Sequence, residues 1–220
     1  MKKKVLIFGN REIAQLANYY FETDSAYEVV AFVVDKDYLT GESFENKPLL
    51  DFETIEKKFP PGDCSMFIAV SYAKMNSIRE RKYFEAKAKG YNLVSYVSSR
   101  TSYLSQYPPG DNCFIFEDNT IQPFVKIGNN VTLWSGNHIG HHSTIMDHNF
   151  ISSHVVISGH CRIEPNCFLG VNSTVAHKVK IGRETLVGAG AIITADTAEK
   201  SVYVPARSVL LNKKSDEFIF

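Results

Sequence analysis

Aliphatic residues fall at every sixth position over a long stretch of this chain: Ile115, Ile121, Ile127, Leu133, Ile139, Ile145, Ile151, Ile157, Ile163, Leu169, Val175, Ile181, Val187 and Ile193. A period of six fits neither the 3.6 residues of a helical turn nor the two of a half-buried strand. It fits a parallel β-helix in which each hexapeptide makes one short flat side and three make a triangular coil. Residues 18 apart then stack at the strand spacing of about 4.8 Å, and the aliphatic column fills the axis. Four places after each aliphatic residue runs a second column: Asn119, Val125, Val131, Asn137, Ser143, Asn149, Val155, Cys161, Cys167, Ser173, Val179, Thr185 and Ala191. These small or β-branched side chains suit a crowded strand beside a corner. Glycine often follows the aliphatic residue, as at Gly128, Gly140, Gly170, Gly182 and Gly188. Corners there are predicted to need φ values that glycine reaches cheaply.

The 220 residues leave room for a second domain before the repeats. Strand and helix patterns alternate there, with strands at 5–9, 29–34, 65–70 and 93–97 and helices at 11–23 and 74–89. Such alternation predicts a small parallel sheet, an α/β domain. Ligands of these sheets gather at the carboxyl ends of the strands, beside glycine turns and helix N-termini. Gly9, Asn10, Arg11, Asp35, Lys36 and Ser71 fall at those ends. Gly9-Asn10-Arg11-Glu12-Ile13-Ala14 keeps only the first glycine of the dinucleotide fingerprint, which argues against a nicotinamide cofactor. Arg11 could contact a phosphate or cap its helix, and Asp35 could hold a ribose hydroxyl or form a turn.

Charge narrows the partners. Lys plus Arg and Asp plus Glu number 24 each, so no basic field exists to hold a nucleic-acid backbone. No apolar run approaches the roughly 20 residues of a membrane span. The apolar run after Lys2-Lys3-Lys4 is too short for a signal-peptide core, so a cytoplasmic protein is expected. Cys113, Cys161 and Cys167 share the phase of the small column, so packing accounts for them better than disulfides or zinc.

The 7 histidines all lie between His138 and His177. His142, His148, His154 and His160 take the third place after an aliphatic residue, on successive sides of the prism, so only His142 and His160 stack. His141 and His177 share the second place but lie two coils apart, about 10 Å by strand spacing. No three of them are expected to converge on a metal, and no metal is expected.

The hexapeptide run, Ile139-Gly140-His141-His142-Ser143, Phe168-Leu169-Gly170-Val171-Asn172-Ser173, Val187-Gly188-Ala189-Gly190-Ala191 and Val204-Pro205-Ala206-Arg207 together resemble the left-handed β-helix acyltransferases. With its first domain, the whole chain resembles the subgroup that acetylates nucleotide-linked amino sugars or sialic acid in surface polysaccharide biosynthesis. The resemblance implies an N-terminal Rossmann-like domain followed by an all-β left-handed parallel β-helix. The expected organisation is a nucleotide-sugar domain over 1–98, a linker over 99–112, the β-helix over 113–205 and a tail over 206–220. It also implies acetyl-CoA as co-substrate, a nucleotide-linked amino sugar as acceptor and a homotrimer.

In that family a histidine in the position of His141 is the general base. Imidazole titrates near neutrality, so it can take a proton from the nucleophile and return it to the departing thiolate. Gly159 matches the backbone N–H that holds the oxyanion. Gly159, Gly170, Val171, Gly188 and Ala189 match the wall along which the pantetheine arm lies, and Pro205 and Ala206 the end of the adenine site. Where the family commonly carries an acid beside the base, this chain has His142, and a second family histidine falls on Phe150. O-acetylation of a glycan hydroxyl is the nearest alternative. A zinc hydratase of the γ-carbonic anhydrase kind or a non-catalytic sugar-nucleotide-binding protein are readings of other classes. The terminal Phe218-Ile219-Phe220 could pack on a neighbour or be disordered.

Overall fold

The computed structural model describes residues 2–212 and 214–217. Phe218-Ile219-Phe220, whose packing was in question, lies outside the described residues. The chain opens with β1 (Lys3–Phe8), α1 (Glu12–Thr23), β2 (Tyr27–Val34), β3 (Ser43–Phe44), β4 (Lys47–Asp51), β5 (Ser65–Ile68) and α2 (Ser77–Ala88). The sheet order is β3-β4-β2-β1-β5. All its pairings are parallel except the antiparallel pair of β3 and β4, a short arm that the sequence pattern did not announce. Val5, Leu6, Ile7, Ala31, Phe32 and Val33 are wholly buried, as strands covered on both faces require.

The expected strand over 93–97 does not extend this sheet. Leu93 makes a single bridge to Met66, while Tyr96–Val97 (β6) pairs in parallel with Phe114–Ile115. Ser102–Tyr103 (β7) pairs likewise with Thr120–Ile121. Val97 and Tyr103 occupy the positions one coil before Ile115 and Ile121, so the repeat register reaches back through the segment expected as a linker and makes it the first coil. At the far end, Val202–Tyr203 pairs with Leu186–Val187 and covers the last complete coil.

Between these ends the chain forms three parallel sheets of two-residue strands, the faces of a left-handed prism. The first face carries Phe114–Ile115, Thr132–Leu133, Phe150–Ile151, Phe168–Leu169 and Leu186–Val187. The second runs from Thr120–Ile121 through His138–Ile139 to Ile192–Ile193, and the third from Lys126–Ile127 to Lys180–Ile181. Every residue of the aliphatic column is at most 5 % exposed.

The small column does more than fit. Asn137 Oδ1 accepts from Val155 N at 2.8 Å, Asn149 Oδ1 from Cys167 N at 2.7 Å and Ser143 Oγ from Cys161 N at 3.0 Å. These bonds satisfy corner N–H groups of the next coil that the short ladders leave over. All four cysteines are free and buried.

The corners overturn the expectation about glycine. Positive φ falls on the residue three places after the aliphatic one: Asp118, Phe124, Asn130, His142, His148, His154, His160, Asn166, Asn172, Lys178 and Glu184 all lie between +55° and +68°. Asn, Asp and His tolerate this left-handed region best among side-chain-bearing residues, which explains the histidines at the third place. The glycines directly after the aliphatic column answer close approach instead. A Cβ at Gly140 would stand 2.5 Å from Gly159 N, and one at Gly170 2.6 Å from Ala189 N.

The first domain docks along the corner column Asn112, Asn130, His148 and Asn166, between the third and first faces. Asn112 Oδ1 accepts from Ile68 N at 2.7 Å, and its Nδ2 donates to Asn130 Oδ1 at 2.8 Å. Asn130 Nδ2 meets His148 Nδ1 at 2.8 Å, and Asn166 Nδ2 donates to Glu80 Oε2 at 2.7 Å. From α2, Arg79 Nη2 reaches the carbonyls of Asn130, His148 and Asn149 at 3.3, 2.9 and 3.0 Å. Arg79 is 1 % exposed, and desolvation lowers its pKa to about 9. Its guanidinium also lies 5.6 Å from the centre of the Phe150 ring.

Replacing Arg79 by Met keeps an apolar stem but strands the Asn130 and His148 carbonyls. The expected loss is about 2–3 kcal/mol of unfolding free energy, read by urea denaturation. Burial holds the His148 imidazole below its ordinary 6.5, although Glu80 at 3.7 Å pulls the other way. The unfolded chain therefore binds a proton that the folded chain refuses. This contribution to stability is whole above pH 6.5 and declines as pH falls below it. In His148→Asn, which keeps a side chain suited to positive φ, that part of the pH dependence is expected to vanish from denaturation curves.

Candidate functional site

His141 ends the second-face strand His138–Ile139 through Gly140 and turns the corner with His142. Its N–H donates to Gln122 Oε1 at 2.8 Å, and its carbonyl accepts from His160 N at 2.9 Å. The ring is thereby anchored through its backbone on both sides. Gln122 escaped the sequence reading, because its place in the preceding coil says nothing about where its amide points.

Gly159 lies in the same column as His141 and His177, between them. A Cβ there would come within 2.8 Å of His141 Nε2 and 2.9 Å of its Cε1, so the imidazole rests on bare backbone. His177 leans toward His141. Its ring centre is 6.4 Å from that of His141, well inside the separation of about 10 Å that coil spacing alone predicted. Among the described residues no acceptor engages the Gly159 N–H.

His142 and His160 complete the niche. Their rings stack at 4.8 Å with planes 9° apart, as two residues of one corner column should. His141 Nδ1 and His142 Nδ1 are 3.1 Å apart. If His141 donates in this contact, its Nε2 keeps the lone pair, beside Gly159; if His142 donates, the His141 lone pair is the one on Nδ1. Ring nitrogens of His141, His142 and His160 lie within 4.8 Å of one another, so three histidines of one chain do converge, against the expectation from spacing. Burial and the neighbouring His142, His141, His177 and Lys178 hold the His160 imidazole below its ordinary value.

The residues expected to bind substrate gather elsewhere. Gly9, Asn10, Arg11, Asp35 and Ser71 line one cavity of about 240 Å³ with Tyr38, Arg81 and Lys82, and Lys36 is outside that lining. Gly9 is required there: its φ is +133°, and a Cβ would stand 2.7 Å from Ala69 O. Asp35 Oδ1 meets the buried Lys82 Nζ at 2.6 Å, a partner that the sequence did not reveal. Arg11 is the residue before the first turn of α1, and its side chain makes no capping bond.

Gly170, Val171 and Ala189 line a groove on the first face with Tyr72, Trp134, Phe150 and Phe168. Phe150, where the family's second histidine would stand, packs against Tyr72 at 5.0 Å. Pro205 and Ala206 line a separate hollow with Ile192 and Tyr203, and Gly188 sits beneath the Tyr203 backbone. The histidine niche occupies the corner between the second and third faces, whereas the first domain sits on the corner between the third and first.

Two consecutive spans, 124–159 and 160–195, match the family described as bacterial transferase hexapeptide (six repeats). A comparison with curated proteins finds no match. Among solved structures, the acetyltransferase domain of PglB from Neisseria gonorrhoeae is 19 % identical, with a TM-score of 0.81 over 91 % of this chain and 96 % of that one. PerB from Caulobacter crescentus, solved with CoA and GDP-perosamine, is 20 % identical, with a TM-score of 0.78 over 90 % of this chain and 92 % of that one. WeeI from Acinetobacter baumannii is 19 % identical, with a TM-score of 0.77 over 91 % and 96 %. The shared fold therefore includes both the first domain and the hexapeptide repeats. No helix among the described residues is long and apolar enough to cross a membrane.

The mutual influence of the imidazoles is measurable. Replacing His142 by Asn removes one positive neighbour, and an NMR titration of the ring protons is expected to show the His160 midpoint moving upward.

Proposed function

We propose that this protein transfers an acetyl group from acetyl-CoA to the amino group of a nucleotide-linked deoxyamino sugar, with His141 as general base. The observation that carries the reading is the pairing of the His141 imidazole with the bare, unengaged backbone of Gly159, one coil away in the same column. The hexapeptide repeats and the likeness to PglB and PerB support it.

In this reading the acceptor amine attacks the thioester carbonyl while His141 Nε2 takes its proton. A C–N bond forms, and the carbonyl oxygen becomes an oxyanion held by the Gly159 N–H. Collapse breaks the C–S bond, and His141 returns the proton to the leaving thiolate, giving an amide and free CoA. His142 holds the His141 ring by accepting at Nδ1, the task an acid performs elsewhere.

The cavity lined by Gly9, Asn10, Arg11, Asp35 and Ser71 is the candidate nucleotide site. The first-face groove at Gly170, Val171 and Ala189 and the hollow at Pro205 and Ala206 would take parts of the donor or acceptor. Because the first domain and the histidine niche occupy different corners, the reading includes a homotrimer in which a neighbouring copy brings acceptor and base together.

His141→Ala is expected to lower kcat by about 10²–10⁴-fold while CoA affinity stays nearly unchanged. Gly159→Ala, whose Cβ intrudes on the ring, should lower kcat in the same direction. Purified enzyme, labelled acetyl-CoA and a panel of nucleotide sugars supply the measurement. An alkali-stable product identifies the amide, whereas an alkali-labile one would assign the acceptor as a hydroxyl. Full turnover in His141→Ala would overturn the role given to that residue.

A further inference from the structure

We infer that the histidine niche is also a binding site for a divalent transition-metal ion of the zinc class, which silences the site by occupying its base. The observation is the convergence of His141, His142 and His160, whose ligand nitrogens lie within 4.8 Å of one another at an exposed corner. The silencing rests on the reading of His141 as base; the binding does not.

Three geometric features carry the inference. First, two of the donors already stand at coordination spacing and the third lies within 4.8 Å of them. A tetrahedral ion with bonds of about 2.0–2.1 Å separates its nitrogens by about 3.3 Å. His141 Nδ1 and His142 Nδ1 stand 3.1 Å apart, so an ion between them requires the proton in this contact to move to the Nε2 of its own ring, leaving both Nδ1 lone pairs for the metal. Second, the donors come from rigid supports. His142 and His160 are fixed at φ +59° in one corner column, and His141 is tied by its N–H to Gln122 and by its carbonyl to His160. Third, a further imidazole is within reach, because the His177 ring centre is 5.4 Å from that of His160. Ligands from three successive coils would thus meet at one point, and an exposed edge leaves a coordination position to water.

The donor chemistry selects the metal. A set made only of imidazoles favours zinc, copper or nickel over magnesium and calcium, which take oxygen ligands. Lys178 continues the same corner column, and its exposed ammonium opposes a dication. The ion must therefore be held by direct bonds rather than by the field of the site, which again disfavours magnesium. An ion bound through His141 removes the lone pair needed to accept a proton, and coordination by His142 removes the acceptor that orients the ring.

The test uses the full chain, stripped with a chelator and returned to chelator-free buffer, without acyl donor or acceptor. Isothermal titration with zinc chloride is expected to show saturable binding that a large excess of magnesium does not displace. His160→Asn and His142→Asn, which keep side chains suited to the corner, should each weaken binding by about tenfold or more. His154→Asn, at a different corner, should leave it unchanged, and thermal melts verify that each variant is folded. Absence of saturable binding, or equal affinity in the wild type, His142→Asn and His160→Asn, overturns the site. Since binding is read without turnover, failure of the acyl-transfer reading leaves this result intact. In an active preparation, zinc should inhibit over the range in which it binds, and a chelator should restore the rate; inhibition that persists after chelation would overturn silencing by reversible coordination.

Discussion

Coil-on-coil register is the constraint on which the rest of this molecule depends. Each coil is held to the next by short parallel ladders, with a repeat of 18 residues set by the three hexapeptides. Two-residue strands leave many backbone groups near the corners without ladder partners. The small column supplies some of the missing acceptors through Asn137, Asn149 and Ser143, and the left-handed corner residues let the chain turn without losing the stack. Because side chains 18 apart must occupy the same column, chemistry placed in one coil automatically faces the coils above and below. The contact of His141 with Gly159 and the stacking of His142 on His160 are both consequences of that register.

Much of this was legible because burial imposes a strict pattern. The aliphatic column cannot vary without exposing or overfilling the axis, and the first-domain strands β1, β2 and β5 read as continuous apolar runs for the same reason. Gly159 was singled out through the resemblance to a family, and the structure stacks it one coil from His141. The corner column was harder to read. Its requirement is a backbone angle, which Asn, His, Lys, Phe and Glu satisfy here with no shared polarity or size. The glycines after the aliphatic column drew attention to flexibility, although their purpose is to let neighbouring coils touch.

The interface between the domains was hidden for a related reason. The buried side of α2 carries Arg79, Lys82 and Tyr83, so the helix reads as a charged surface element. It is entered through Lys74, Met75 and Asn76, all at positive φ, and Asn76 Nδ2 donates to the Cys167 carbonyl at 3.0 Å. Carbonyl groups of the β-helix replace the solvent that Arg79 and Asn76 would otherwise need. A sequence displays the donors, but the acceptors are main-chain atoms present at every residue. Partner identity therefore comes only from three-dimensional register, as it does for Gln122 beneath His141.

The docking column has a mechanical consequence. Asn112, Asn130, His148 and Asn166 are successive rungs of one edge, each a full coil from the next. The first domain can move along that edge only by exchanging one rung for another, because intermediate positions would leave Arg79 and Asn112 facing the wrong atoms. Its placement is thus a discrete setting, with steps of about 4.8 Å. Any ligand held in the first domain would consequently be measured against the β-helix in whole coils, like a rule with fixed graduations. Altering the reach from that domain to the chemistry would require a change of rung or an added coil, whereas substitutions within the cavity can adjust only what is gripped.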